Sequence, residues 1–349
     1  MSSMTTQEAN PLMISSQIRH KILTYDNMFD SIDCNLQFEN IFYSVKGTSD
    51  ILLNCLGIID DKLIAHSNDF TSLFKNLFYQ NPDPRAIVWY DGIVDTYNYM
   101  ASNINLYIQI EEPVVIFIGS YWCIGATHAF STMWCFINEY LINGYDKKIL
   151  VYKNSTKGIL DILIRIFGEC NIIYIDDSVI YKLCDATFFV NKYHSIITPV
   201  ETDKLIHKFI DKYLYDPNLN LNPDVKTICI IKSSISNNST FDDVADIDDV
   251  VKYCEINNYM FVDSVNYSEI EMINIIHRAK HIKFSWGSAF FKNVSYVSDV
   301  CESIEVFVYS VIFTNQYYER VTNNDLTTKY KNAVVTYKVL NNFNEIFSL

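Results

Sequence analysis

Lys280-His281-Ile282-Lys283-Phe284-Ser285-Trp286-Gly287-Ser288-Ala289-Phe290-Phe291-Lys292-Asn293 is the stretch on which the fold turns. It follows residues 268–279, where Ile270, Ile273, Ile275, Ile276 and Ala279 recur at helical spacing and give the segment one apolar face. A short strand is expected next, ending in a turn of small residues from Ser285 to Ser288. Upstream, 227–232 reads as a strand, 248–258 as a helix and 260–265 as a second strand. The unbroken apolar run Ile228-Cys229-Ile230-Ile231 suits a strand covered on both faces, as strands of parallel sheets are. Residues 285–288 would then lie at the carboxyl edge of such a sheet, where open α/β folds bind their ligands. A helix beginning near Ser288 would turn its free backbone N–H groups toward an anion in that crevice. The plainer reading is a strand-to-helix turn that uses Gly287 for backbone freedom.

The same alternation starts earlier. Residues 114–118 read as a strand, 127–143 as a helix ending at Asn143-Gly144, and 148–152 as a strand. A helix over 157–167 ending at Gly168 follows, then strands at 172–175 and 186–190. Strands separated by helices of ten or more residues mean βαβ units, so this is a second Rossmann-like half. Before it, short strands are expected at 41–45, 50–60 and 86–90, the last after the turn Asn81-Pro82-Asp83-Pro84. The fold class is therefore α/β, with two Rossmann-like lobes and an irregular β-containing N-terminal region. Residues 1–17 are expected to be a flexible leader and 18–215 the N-terminal lobe, which ends with a helix over 203–213. A linker at 216–224 holds Pro217 and Pro223, and 225–349 forms the C-terminal lobe, with a further strand at 304–309 and a tail that can cross back.

A chain of 349 residues with 49% hydrophobic and 15% aromatic content has the material for a large core or two. A formal charge of −14 speaks against a nucleic-acid surface, because neutralising phosphates takes clustered Lys and Arg. The nine cysteines show no Cys-x-x-Cys pair, which fits reduced thiols and a cytoplasmic location better than a disulfide framework or zinc site. Residues 114–138 carry no Asp, Glu, Lys or Arg. Gly119, Ser120, Gly125, Thr127 and His128 break the run, so a buried strand-loop-helix is expected there and no transmembrane segment.

Tyr253-Cys254, Tyr259, Val262-Asp263, Ser268-Glu269-Ile270-Glu271, Ala279, Ser285-Trp286-Gly287-Ser288 and Asn293 together resemble the carboxyl-terminal half of family 61 glycosyltransferases, over roughly residues 226–300. That family includes protein O-GlcNAc, xylan-modifying and capsular polysaccharide transferases. The resemblance implies a GT-B-type fold, inverting transfer from a nucleotide-sugar to a glycan or glycoprotein acceptor, and no metal or cofactor; a UDP-sugar is the expected donor. It places Lys232, Ser233, Trp286, Gly287 and Ser288 at the donor diphosphate, with Asp263, Ser264 and Lys292 as further candidates. The family's arginine at the end of the 227–232 strand is Lys232 here, and its second arginine is missing. Lysine keeps the charge but not the planar fork that grips two phosphate oxygens.

His128 matches the His that opens the family's first-lobe motif, with Thr132 where a carboxylate often stands one turn later. An imidazole there can act as the general base on an acceptor hydroxyl, or be a helix-terminal His satisfied by backbone. Asp246-Ile247-Asp248 has the spacing of a metal-binding Asp-x-Asp, yet reads more simply as an acidic first helical turn. No Gly-x-Ser-x-Gly or Gly-x-Gly-x-x-Gly is present. The competing expectation is an inactive relative that binds glycan or serves as a structural protein, and a homo-oligomer is compatible with either.

Overall fold

The computed structural model describes residues 36–44, 55–59, 62–66, 95, 98–117, 123–176, 178–189, 200–219, 226–230, 247–285, 288–309, 330, 332–340 and 345. The expected leader at 1–17 and the strand at 86–90 lie outside them. The protein is mixed α/β with two sheets, each containing parallel strands. It divides into two compact units, one of Met1–Gly125, Tyr140–Ser155 and Cys170–His194, the other of Ala126–Glu139, Thr156–Glu169 and Ser195–Leu349.

The first unit holds an eight-stranded sheet built from β1 (Leu36–Tyr43), β2 (Cys55–Ile59), β3 (Lys62–His66), β4 (Tyr107–Ile110), β5 (Val114–Phe117), β6 (Lys148–Tyr152), β7 (Ile172–Ile175) and β8 (Ile180–Phe188). Its order is β3-β2-β1-β8-β5-β6-β7, with β4 also on β8. The β1, β2 and β3 pairings are antiparallel, whereas β8-β5-β6-β7 is parallel throughout. All four residues of β5 are buried, the mark of a strand covered on both faces. Ile41, Tyr43, Val114, Ile116, Leu150 and Phe188 share one core cluster. Ile110 faces Leu183 and Val114 faces Ala186, so Glu111-Glu112-Pro113 stand opposite only Cys184 and Asp185. That extra residue is a bulge, placed where Pro113 has no N–H to give a ladder.

The helices run α1 (Cys123–Asn143), α2 (Lys157–Phe167), α3 (Val200–Phe209), α4 (Ile247–Ile256), α5 (Glu269–Arg278) and α6 (Ser288–Asn293). α1 is followed by Gly144 in the left-handed region at φ 60°, and α2 by Gly168 at φ 82°, whose N–H bonds the Ile164 carbonyl at 2.8 Å. α2 buries Ile159, Ile162 and Leu163, a single stripe at helical spacing. α3 runs into a π-turn, Ile210–Leu214, that replaces the helical end expected at 213. No helix among the described residues is long and apolar enough to cross a membrane.

The second unit's sheet is made of β9 (Thr227–Ile230), β10 (Met260–Phe261), β11 (His281–Ser285), β12 (Ser303–Tyr309) and β13 (Val334–Leu340), in the order β10-β9-β11-β12-β13. Every pairing in it is parallel. Counted along the chain this is the order 2-1-3-4-5, which reverses direction between β9 and β11. On β11, Ile282 and Phe284 point to one face, and Phe284 meets Phe290 of α6 edge-on at 5.4 Å. Lys283 points to the other, where its Nζ reaches the Tyr253 hydroxyl of α4 at 2.9 Å. The helix after β9 and the helix after β11 therefore cover opposite faces, and the chain parts in two directions at this strand pair.

Candidate functional site at the carboxyl edge of the second sheet

Strand register fixes which residues meet at the edge where β9 and β11 end. Phe261 stands opposite Cys229, which stands opposite Lys283. Two residues further along each chain come Asp263, just beyond β10, and Ser285, the last residue of β11. Val262 continues the pairing by donating to the Cys229 carbonyl at 2.9 Å, and the Asp263 carbonyl then accepts from Asn266 at 3.0 Å, opening the 3-10 turn Ser264–Asn266. Asp263 and Ser285 are 9% and 8% exposed, polar side chains buried near the carboxyl ends of β10 and β11. Ser264 is exposed.

Ser288 opens α6, as the turn reading required. Trp286 and Gly287 lie outside the described residues, as do Lys232 and Ser233, which continue the chain from Ile230. At the far end of α6, Asn293 is fully buried, and neither its amide nitrogen nor its oxygen has a hydrogen-bond partner among the described residues. Such an orphan amide is rare in a folded protein.

Lys292 has a partner that the sequence did not announce. Its Nζ is 2.6 Å from a carboxylate oxygen of Glu269 and 4.9 Å from the centre of the Phe130 ring. Tyr296 donates to the other Glu269 oxygen at 2.9 Å. Burial, then the neighbouring Glu269 charge, push the Tyr296 phenol well above its ordinary range, so it remains a donor. The Lys292 charge is thereby compensated within the fold.

His128 lies in the second turn of α1, and its backbone alone is described. Two residues on, Phe130 sits under Lys292, and Trp134 packs against Tyr296 at 6.4 Å and stacks on Phe209 at 6.5 Å. The helix that carries His128 and the helix that begins at Ser288 are therefore neighbours in one unit. Asp248 and Asp249 form the acidic first turn of α4, as the simpler reading had it, while Asp246 lies outside the described residues.

Two charged clusters escaped the sequence reading. Lys283, Glu305 and Lys338 form a row across β11, β12 and β13, and the rings of Tyr253, Tyr259 and Phe307 surround Lys283. The signal was legible: Ile282-Lys283-Phe284 and Ile304-Glu305-Val306 each put one charge inside an apolar strand, with opposite signs. The second cluster is His277 with Asp211, 3.0 Å apart and 66 residues apart in the chain, which no spacing could reveal. No protein-family model matches the chain, and no curated protein matches it either.

Proposed function

We propose that the protein is a glycosyltransferase that moves a sugar from a nucleotide-sugar to a glycan or protein acceptor, the parallel part of the first sheet and the all-parallel second sheet being the Rossmann-like halves of a GT-B-type enzyme. The observation that carries this is the reversal of strand order between β9 and β11. Ligands of open α/β sheets bind outside the carboxyl ends of the two strands at such a point. The residues that continue from those ends are Lys232-Ser233 and Trp286-Gly287-Ser288, the set that the family resemblance assigns to the donor diphosphate.

In this reading the acceptor hydroxyl attacks the anomeric carbon as the bond to the diphosphate breaks, inverting that centre. His128 takes the hydroxyl proton. The charge that develops on the departing diphosphate is met by the Lys232 ammonium and by backbone N–H groups at the start of α6. The packing of Phe130 against Lys292 supports the pairing of these roles, since it sets the His128 helix beside α6.

A second reading, an inactive relative that binds glycan or serves as a structural protein, draws support from Lys292. Its charge is met by Glu269, and Lys232 alone remains for the task that two arginines perform in the resembled family. The deciding experiment is a thermal-shift series on the full chain with UDP-, GDP- and CMP-sugars, paired with an assay for released nucleotide. Stabilisation by one nucleotide class together with slow donor hydrolysis supports the transferase. No shift and no hydrolysis with any of them would sink it.

A further inference from the structure

The helical segment 200–214 meets α5 and the turn Val294–Tyr296 through a pair of histidines whose ring centres are 6.3 Å apart, His207 and His277. His277 occupies the last turn of α5, just before β11 begins. It therefore sits at the amino edge of the sheet, the opposite end from the strand termini where ligands are held. Chemistry on a substrate in that crevice is out of its reach, and a different use has to be sought.

The two imidazoles have unlike surroundings. His277 faces acceptors through both nitrogens, Nε2 toward the Asp211 carboxylate at 3.0 Å and Nδ1 toward the Tyr296 carbonyl at 3.4 Å. Only the doubly protonated ring can donate to both. His207 has a hydrogen bond with the Ser295 backbone, while its Nε2 is buried with no hydrogen-bond partner among the described residues. A proton added there would be an N–H without an acceptor, beside a second imidazole. Burial and then the proximity of His277 push His207 below its ordinary range, and Asp299, Asp211 and the Ser295 backbone offset this only in part. Tyr215 lies 5.3 Å from the His277 ring, and Arg278 reaches over Tyr215 at 5.5 Å and bonds the Leu219 carbonyl.

We propose that His207 and His277 form a proton-operated latch: the segment 200–214 stays docked on α5 and the 294–296 turn while His207 is neutral, and is released when His207 takes up a proton. The sign follows from the environment. A histidine held below its unfolded value of about 6.5 leaves stability intact above that pH and removes it as pH falls through it toward the lower folded-state value.

The test is hydrogen exchange of the full chain at about pH 7.5 and about pH 5.5, corrected for the intrinsic pH dependence of exchange, read on peptides covering 200–214. Wild type should lose protection there at the lower pH by up to about tenfold, the most that one pH unit below the unfolded value of about 6.5 allows. His207→Gln should keep equal protection at both. Asp299→Asn, an exposed change that removes one of the offsetting charges, should enlarge the loss at the lower pH and leave the higher pH untouched. Equal wild-type protection at the two pH values would overturn the latch. So would a loss of the same size in His207→Gln, or an Asp299→Asn protein indistinguishable from wild type at the lower pH.

Discussion

The Lys283 ammonium lies 2.7 Å from a carboxylate oxygen of Glu305 across the parallel β11–β12 pair, with both side chains less than a fifth exposed. Lys338 reaches the other Glu305 oxygen at 2.8 Å from β13, so one carboxylate ties three strands together. Removing one member of a buried pair leaves the other charged in a poor solvent, at a cost of about 3–5 kcal/mol for full burial. Here, with some water access, Glu305→Ala should lower the unfolding free energy in urea by about 2–3 kcal/mol. The double variant Lys283→Met/Glu305→Leu should recover most of that loss, because Lys338 is 40% exposed and can turn to solvent. A double variant as unstable as the single one would show that the pair does more than neutralise itself.

The same carboxylate sets an acid limit. Burial alone would raise the Glu305 carboxyl, but hydrogen bonds from Lys283 and Lys338 outweigh it and hold the group below its usual 4.5. Glu271 is lowered too, by the Ser268 N–H first and the Ser268 hydroxyl second, within a capping box at the start of α5. For a depressed carboxyl the stabilisation is complete above the unfolded value and disappears as pH falls through the folded one. In a His207→Gln background, where the histidine's own decline below about pH 6.5 is removed, the urea midpoint should therefore hold steady down to about pH 5 and then decline. Glu305→Gln in that background should start lower and decline less; a decline as steep as its parent's would assign the acid limit elsewhere.

Gly158, in the first turn of α2, has no room for a side chain. A Cβ there would stand 2.9 Å from both the Cβ and a carboxylate oxygen of Glu269. Alanine in a helix ordinarily gains up to about 1 kcal/mol over glycine. The Glu269 Cβ is fixed to its backbone and cannot swing away, and overpacking of this kind costs about 1–3 kcal/mol. Gly158→Ala should thus destabilise by about 1–2 kcal/mol net, measured as a lowered urea midpoint with unchanged m-value. A stabilised variant would mean that α2 and α5 are free to separate.

What the sequence disclosed and what it withheld divide along physical lines. The strands Lys148–Tyr152 and Ile172–Ile175 and the helix Lys157–Phe167 were readable to the residue, because apolar periodicity and the glycine at 168 act locally. The strand expected at 260–265 is shorter, Met260–Phe261, since the chain turns at Asp263 into a 3-10 segment. β1 begins at Leu36, five residues ahead of its expected start at 41, because its partner is β8, more than a hundred residues away. Of the proposed site, the start of α6 at Ser288 was legible as a small-residue turn. That Glu269 would neutralise Lys292 was not, since nothing in a helix's first turn says which lysine will reach it.

That pairing separates the two lysines assigned to the donor. Lys292 is bound to Glu269, whose side chain is 8% exposed, so Lys292→Ala would strand a carboxylate and should reduce stability by about 2–3 kcal/mol without touching a ligand. Lys232 is the one cation at the end of the β9 segment, and in the proposed function it meets the diphosphate directly. Lys232→Ala should leave the melting temperature of the ligand-free chain close to wild type and abolish the shift that a UDP-sugar produces. Lys232→Arg should strengthen that shift, since a guanidinium can grip two phosphate oxygens where an ammonium grips one. The two alanine variants measured side by side, with and without nucleotide, make a crossed design. If Lys292→Ala loses the ligand shift while its stability is unchanged, the Glu269 pair is not what holds that lysine. If Lys232→Ala keeps the full shift, the diphosphate lies somewhere other than the carboxyl edge between β9 and β11.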